Sequence, residues 1–232
     1  MLVVERIEAG YGSIRILFDL SLAVGPGEVV ALLGRNGMGK TTAVRAIMGI
    51  IPCRKGAIHF AGQPIQDLAP HRIARLGIGL VPEDRQVFPT LTVRENLTAT
   101  ARRAHDGMAW TLGDIFQLFP QLLARQHHYG NQLSGGEQQM TAIGRALMTN
   151  PKLLILDEAT EGLAPKVQAQ IWQTLDVLKQ RGLSVLVIDK NVAALAKICD
   201  RFCIVEKGRS VWQGRPAALA AAPAVREAHL GV

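Results

Sequence analysis

A chain of 232 residues, 48% hydrophobic and 19% charged, is long enough for one domain with a sizeable core and is too apolar to be disordered. No apolar run reaches the ~18–20 residues of a membrane span, and the start, Met1-Leu2-Val3-Val4-Glu5-Arg6, lacks a signal-peptide layout, so a cytoplasmic protein is expected. The net charge of +7 suits an anionic partner, but no dense basic run or aromatic-basic interleaving accompanies it, which argues against nucleic acid.

Residues 2–24 alternate and carry β-branched side chains, which predicts a hairpin-like pair of strands with Ala9-Gly10-Tyr11-Gly12 as the turn. Tyr11 between two glycines reads either as a platform for a purine ring or as an ordinary loop tyrosine. Pro26-Gly27-Glu28 is a second turn. The apolar run Val29-Val30-Ala31-Leu32-Leu33 then predicts a fully buried strand, and residues 43–48 have helical spacing with Gly49 as the stop.

The loop between that strand and helix is Gly34-Arg35-Asn36-Gly37-Met38-Gly39-Lys40-Thr41-Thr42. Its order fits G-x-x-x-x-G-K-[ST], the phosphate-binding loop. A triphosphate needs many donors converging on its oxygens. Gly34, Gly37 and Gly39 allow the backbone N–H groups to face an anion, and the helix adds its free N–H groups and dipole. Lys40 supplies a compact charge to the β- and γ-phosphates, and Thr41 a hydroxyl for Mg²⁺.

Further on, a strand is expected at 57–60, a helix over 70–76 and a strand over 78–81 ending at Pro82-Glu83. From 84 to 150 the chain reads as a helical insert in the α/β core, with helices over 93–104 and 111–124 and a loop at 131–133. Thr92 with Glu95 has capping-box form, and Arg102-Arg103 reads as a solvated helix face. Ser134-Gly135-Gly136-Glu137 opens another helix, again as a capping box. Two glycines in a first turn weaken a helix, so they suggest that something approaches the backbone closely; bare N–H groups there suit a phosphate.

Leu153-Leu154-Ile155-Leu156 is an apolar strand ending in Asp157 and Glu158. Ligands of α/β sheets bind outside the carboxyl ends of strands, and a buried carboxylate pair calls for a cation. Asp157 can hold Mg²⁺ and Glu158 can polarise an attacking water. Pro165 opens a helix whose buried stripe is Val167, Ile171, Leu175 and Leu178, with Trp172 packed nearby. A buried strand at 184–188 leads to Asp189-Lys190-Asn191, followed by a short helix, strands at 202–205 and up to Trp212, and an alanine-rich stretch at 217–222. Cys53, Cys199 and Cys203 lack the partners of a zinc site and read as small core thiols.

Leu133-Ser134-Gly135-Gly136-Glu137-Gln138-Gln139 resembles the signature of ABC ATPases, and it lies between a Walker A and a Walker B sequence. Within that superfamily Val81-Pro82-Glu83, the signature helix and Glu161-Gly162-Leu163-Ala164-Pro165 resemble the shorter ATPase subunit of branched-chain amino acid uptake transporters. The resemblance implies an α/β fold with a RecA-like P-loop core, an N-terminal antiparallel β subdomain and an inserted helical subdomain, all within one nucleotide-binding domain. It implies ATP and Mg²⁺ as ligands and a head-to-tail dimer, with a related ATPase subunit or a second copy as the partner. Ser134 to Glu137 of one subunit would close over the γ-phosphate held by Lys40 of the other. Tyr11 matches the adenine-stacking aromatic, and residues 83–88 match the loop that faces the membrane subunits. Two permeases, a periplasmic solute-binding protein and a place on the inner face of the cell membrane complete the expectation. Glu83 stands where a glutamine usually contacts Mg²⁺ and water, Ala164 replaces a bridging aspartate, and Lys190 replaces the histidine of the γ-phosphate switch. Besides a transport motor for branched-chain amino acids, the residues allow an importer of another small solute, such as urea or amides, or a nucleotide-binding module that regulates assembly and hydrolyses poorly.

Overall fold

The structure is a computed structural model that describes residues 1–103 and 109–231. It opens with strands β1 (Leu2–Tyr11) and β2 (Ile14–Val24), paired antiparallel. The turn between them is shorter than expected. Ala9, Gly10 and Tyr11 stay in the strand because they find register partners in Leu17, Arg15 and Ile14. β3 (Val29–Leu33) is buried throughout and feeds α1 (Lys40–Ile47). β4 (Cys53–Phe60) starts at Cys53 rather than at Ala57, since its first residues also pair with β1. β5 (Gln63–Pro64), α2 (Pro70–Leu76) and β6 (Ile78–Val81) follow.

Between β6 and β7 the described chain is helical: α3 (Val93–Thr98), α4 (Leu112–Leu118), α5 (Pro120–Ala124) and α6 (Gly135–Leu147). Three expectations here need correction. The helix read over 93–104 stops at Thr98, and position 104 lies outside the described residues; Arg102 and Arg103 are exposed but not helical. The helix read over 111–124 is two helices. Phe119 precedes Pro120 and is forced out of the helical region, to φ −130° and ψ 74°. The loop read at 131–133 is a 3₁₀ turn over Gly130–Gln132.

β7 (Leu153–Asp157), α7 (Pro165–Gln180), β8 (Ser184–Ile188), α8 (Val192–Ile198), β9 (Arg201–Glu206) and β10 (Arg209–Gly214) complete the core. Ile171, Leu175 and Leu178 of α7 are buried as the spacing predicts, while Val167 and Trp172 are half-buried against the core. The alanine-rich stretch belongs to α9 (Pro216–Ala220), which α10 (Pro223–Leu230) follows, each with a proline at its start.

All ten strands form one sheet in the order β5-β4-β1-β2-β10-β9-β3-β8-β7-β6. From β9 to β6 the neighbours are parallel; β5, β4, β1 and β2 are antiparallel. The two halves meet where β2 lies beside β10, with one register pair, Arg209 and Asp19. Alternation along the central strands separates two cores. Val29, Ala31, Leu33, Leu154 and Leu156 face α3, α4, α6 and α7; Val30, Leu32, Leu153 and Ile155 face α1 and the antiparallel strands. The fold is thus the expected α/β type: a parallel P-loop core, an antiparallel N-terminal layer and helices inserted between β6 and β7. Cys199 and Cys203 are buried and all three cysteines are free thiols.

Candidate functional site

The loop after β3, the exits of β6, β7 and β8, and the end of β1 enclose a cavity of about 450 Å³. Tyr11, Ile16, Asn36, Gly37, Gly39, Lys40, Thr41, Thr42, Glu83, Glu158, Glu161 and Lys190 line it. The parallel strands end together at this edge because they start together at the other, so their C-terminal loops converge. Gly34, Arg35 and Met38 are in the loop but do not line the cavity; Met38 instead accepts a hydrogen bond from Gly208 N on its carbonyl, at 3.0 Å.

Gly34 is required for a reason the phosphate argument does not supply. Its φ is +147°, and a Cβ there would meet the Val205 carbonyl oxygen of β9 at 2.3 Å. Gly39, with φ +105°, turns the loop into α1.

Lys40 is only 5% exposed. Its Nζ donates to the carbonyls of Gly34 at 3.0 Å and Arg35 at 3.2 Å and lies 3.7 Å from Glu158 Oε1. Lys190 approaches the other Glu158 oxygen at 3.8 Å and pairs more closely with Glu161, at 2.5 Å. Glu158 therefore sits between two ammonium groups. It also has φ +49°, a left-handed conformation that costs a non-glycine residue about 1–3 kcal/mol and marks a position held by its surroundings. Burial, and then the hydrogen bond and charge of Glu161, push the Glu158 carboxyl up, against the pull of Lys40 and Lys190. Glu161 moves down, because its contact with Glu158 and then the donation from the Lys190 ammonium favour its charged form.

Asp157, 2% exposed at the end of β7, has Thr41 Oγ1 at 3.4 Å. Burial pushes its carboxyl up to about 6, opposed by the Thr41 hydrogen bond and Lys40 and reinforced by Glu83. A buried carboxylate with one weak hydroxyl partner suits a hard cation, and Thr41, Asp157 and Glu83 offer only oxygen donors. Glu83, Glu158 and Glu161 also gather, with carboxylate oxygens within 4.8 Å of one another. Tyr11 is 39% exposed at the cavity rim, and its hydroxyl accepts from Arg45 Nη1 at 2.9 Å.

Ser134, Gly135, Gly136 and Glu137 stand apart, since none lines this cavity. The expected capping box is present: Ser134 Oγ accepts from Glu137 N at 3.3 Å and Ser134 N donates to Glu137 Oε2 at 2.8 Å. The glycine pair has close neighbours within the chain. A Cβ on Gly135 would meet Arg85 Nη1 at 2.6 Å, and one on Gly136 would meet both Val167 methyls at 3.0 Å. No local pattern assigns a role to Glu161 or Ile16; only the fold brings them to the P-loop.

The family model described as ABC transporter matches residues 17–161, which span the P-loop, the signature and the end of β7. The chain belongs to the ABC transporter family. Over all 232 residues, covering both chains in full, this ABC ATPase is 40% identical to the high-affinity branched-chain amino acid transport ATP-binding protein BraG of Pseudomonas aeruginosa. It is 34% identical to the lipopolysaccharide export system ATP-binding protein LptB of Escherichia coli, over 99% of this chain and 97% of that one. Its fold matches the ADP conformation of an ATP-binding cassette of an ABC transporter with a TM-score of 0.82, at 26% identity over 98% of this chain and 97% of the other. No helix among the described residues of this ABC ATPase is long and apolar enough to cross a membrane.

Proposed function

We propose that this ABC ATPase is the ATP-hydrolysing subunit of an importer, with branched-chain amino acids as the solute class. The observation that carries the catalytic part is the meeting of Lys40, Thr41 and Glu158 at one strand-end cavity, with Asp157 buried behind Thr41. Lys40 and the loop N–H groups bind the triphosphate, and Tyr11 stacks on the adenine. Mg²⁺ bound by Thr41, Asp157 and Glu83 supplies Lewis-acid neutralisation of the phosphate oxygens. Glu158 orients the attacking water and accepts its proton, and Lys190 offsets charge on the transferred phosphoryl group. The signature residues 134–137 are outside this chain's cavity, which supports their use at the ATP of a second cassette in a head-to-tail dimer.

The loop over residues 83–88 is the part that faces the permease subunits, and through them a periplasmic binding protein. That contact would hold the chain at the inner face of the membrane. The full-length likeness to BraG, a branched-chain amino acid transport protein, supports the solute class; the likeness to LptB, of an export system, makes export the alternative.

Two measurements test this. In the assembled transporter, Glu158→Gln keeps size and hydrogen bonding but removes the base. It should lower kcat by about 10²-fold or more while an ATP-bound dimer accumulates. Normal hydrolysis would move the base elsewhere. A panel of liganded binding proteins should then raise the wild-type ATPase rate only with branched-chain solutes; stimulation by none of them would favour export.

A further inference from the structure

The segment after β6 connects the nucleotide cavity to the signature helix. It begins at Glu83, which lines the cavity, and runs through Arg85 and Gln86 to Phe88. Arg85 and Gln86 both have left-handed backbones, with φ of 60° and 48°. Consecutive non-glycine residues in this region persist only where neighbours over-determine them.

Two side chains do so, one at each end. Asn96 of α3, fully buried, accepts from Phe88 N at 2.8 Å and donates to the carbonyls of Phe88, Leu91 and Thr92, each at 3.0 Å. Arg145 of α6 reaches the turn itself. Its Nη2 donates to Gln86 O at 2.7 Å and more weakly to Arg85 O at 3.5 Å, and its guanidinium lies 4.6 Å from the Phe88 ring centroid. No carboxylate pairs with Arg145 among the described residues, and its Nη1 is buried without a partner. A half-buried cation that leaves one buried donor unpaired while aiming the other at two strained peptides is placed for the backbone rather than for an ion pair.

Arg145 lies on the helix that Ser134 caps, so the strap has its root in the signature helix. We infer that Arg145 is a positioning residue that ties the Glu83 segment to the signature helix, so that the signature's engagement with one ATP sets the place of Glu83 at the other. The inference rests on the shared-site reading proposed above. Its physical content is a strained turn that is kept by a donor on a different element and relaxes when that donor is lost or moves.

The test combines a structural and a kinetic readout. Trypsin can cut after Arg85, at a peptide whose carbonyl accepts from Arg145. In the isolated full chain, Arg145→Ala should speed the appearance of a new amino terminus at Gln86 by about 10-fold, because a local strap is gone and the local opening is easier. In the assembled transporter the same change should lower kcat by about 10-fold or more, the scale of a misplaced catalytic group, with KM for ATP little changed. Arg145→Lys should fall between, since an ammonium can reach Gln86 O but cannot stack on Phe88 as a planar fork does. The decisive variant adds Gln86→Gly to Arg145→Ala. Glycine holds a positive φ without a strap, so much of the lost kcat should return. Loss of activity through a general packing defect in α6 would not be recovered by that second change. An unchanged cleavage rate, or a kcat loss that Gln86→Gly leaves in place, would overturn the inference. A wild-type complex with no ATPase activity would end the functional reading instead, and the cleavage rate would still decide the strap.

Discussion

Lys190 is the residue at which this site departs furthest from the pattern it resembles. Lysine cannot accept a hydrogen bond, so it cannot imitate a neutral histidine. It does line the P-loop cavity, although 46% of its side chain is exposed and its nearest partner is Glu161. As an exposed ion pair that contact adds little stability. Its proposed worth lies in holding an ammonium 3.8 Å from Glu158, in the cavity proposed for the reacting phosphate. Lys190→Ala should therefore lower kcat by about 10²-fold, the usual scale for one preorganised donor, and move KM less. The assay belongs in a complex whose other cassette has been silenced at its Walker B glutamate. A kcat within a small factor of wild type would return Lys190 to the solvent.

At the scale of elements, the signature helix shows how tightly the inserted helices are packed. A Cβ on Gly144 of α6 would lie 2.7 Å from both Ile115 Cγ2 and Leu97 Cδ2. Alanine favours a helix over glycine by about 1 kcal/mol, but overpacking a filled core costs about 1–3 kcal/mol. Gly144→Ala should accordingly lower Tm by a few degrees; a rise would mean that α4 and α3 yield freely. This contact also explains a limit of sequence reading. The P-loop, the strand ending in Asp157 and the capping boxes at Thr92 and Ser134 were legible because each is a local pattern whose residues lie within a few positions. The break at Phe119 was also local, written in the Pro120 that follows it. The reach of β4 back to Cys53 and the neighbours of Gly34, Gly135 and Gly136 depend on partners distant in sequence, and no local period records them. Nor could Glu161 be assigned, since its neighbours at the cavity come from the exits of β6, β7 and β8.

Across the whole molecule, one buried-edge network ties the parallel core to the antiparallel layer. Glu28 accepts from Arg201 Nε at 2.9 Å, from Arg201 Nη2 at 3.0 Å and from Gly25 N at 2.6 Å, while Arg201 also donates to Ala23 O at 2.8 Å. Burial alone would raise the Glu28 carboxyl, but Arg201 and the Gly25 amide outweigh it and hold it below its ordinary value. A carboxyl lowered in the folded state stabilises fully above its unfolded pKa and loses that contribution as pH falls through the folded value. Stability should thus decline as pH drops below about 4.3. Glu28→Gln should be less stable at pH 7 by about 1–2 kcal/mol and show a shallower acid decline. Equal slopes for the two proteins in urea melts across that range would remove Glu28 from the acid transition.

The narrow seam between β2 and β10 has a consequence for how a nucleotide is measured. Tyr11 ends a strand of the antiparallel layer, whereas Lys40 and Thr41 follow a strand of the parallel core, and where the two halves of the sheet meet β2 and β10 share one register pair. A ligand touching only the phosphate loop senses one half; a ligand with a purine at one end and three phosphates at the other spans both. Arg45, rooted in α1 and bonded to the Tyr11 hydroxyl, sets the gap between them like the jaw of a caliper. Under the proposed role of Tyr11, selectivity for the length of the nucleotide belongs to the joint between two layers as well as to the side chains that touch it.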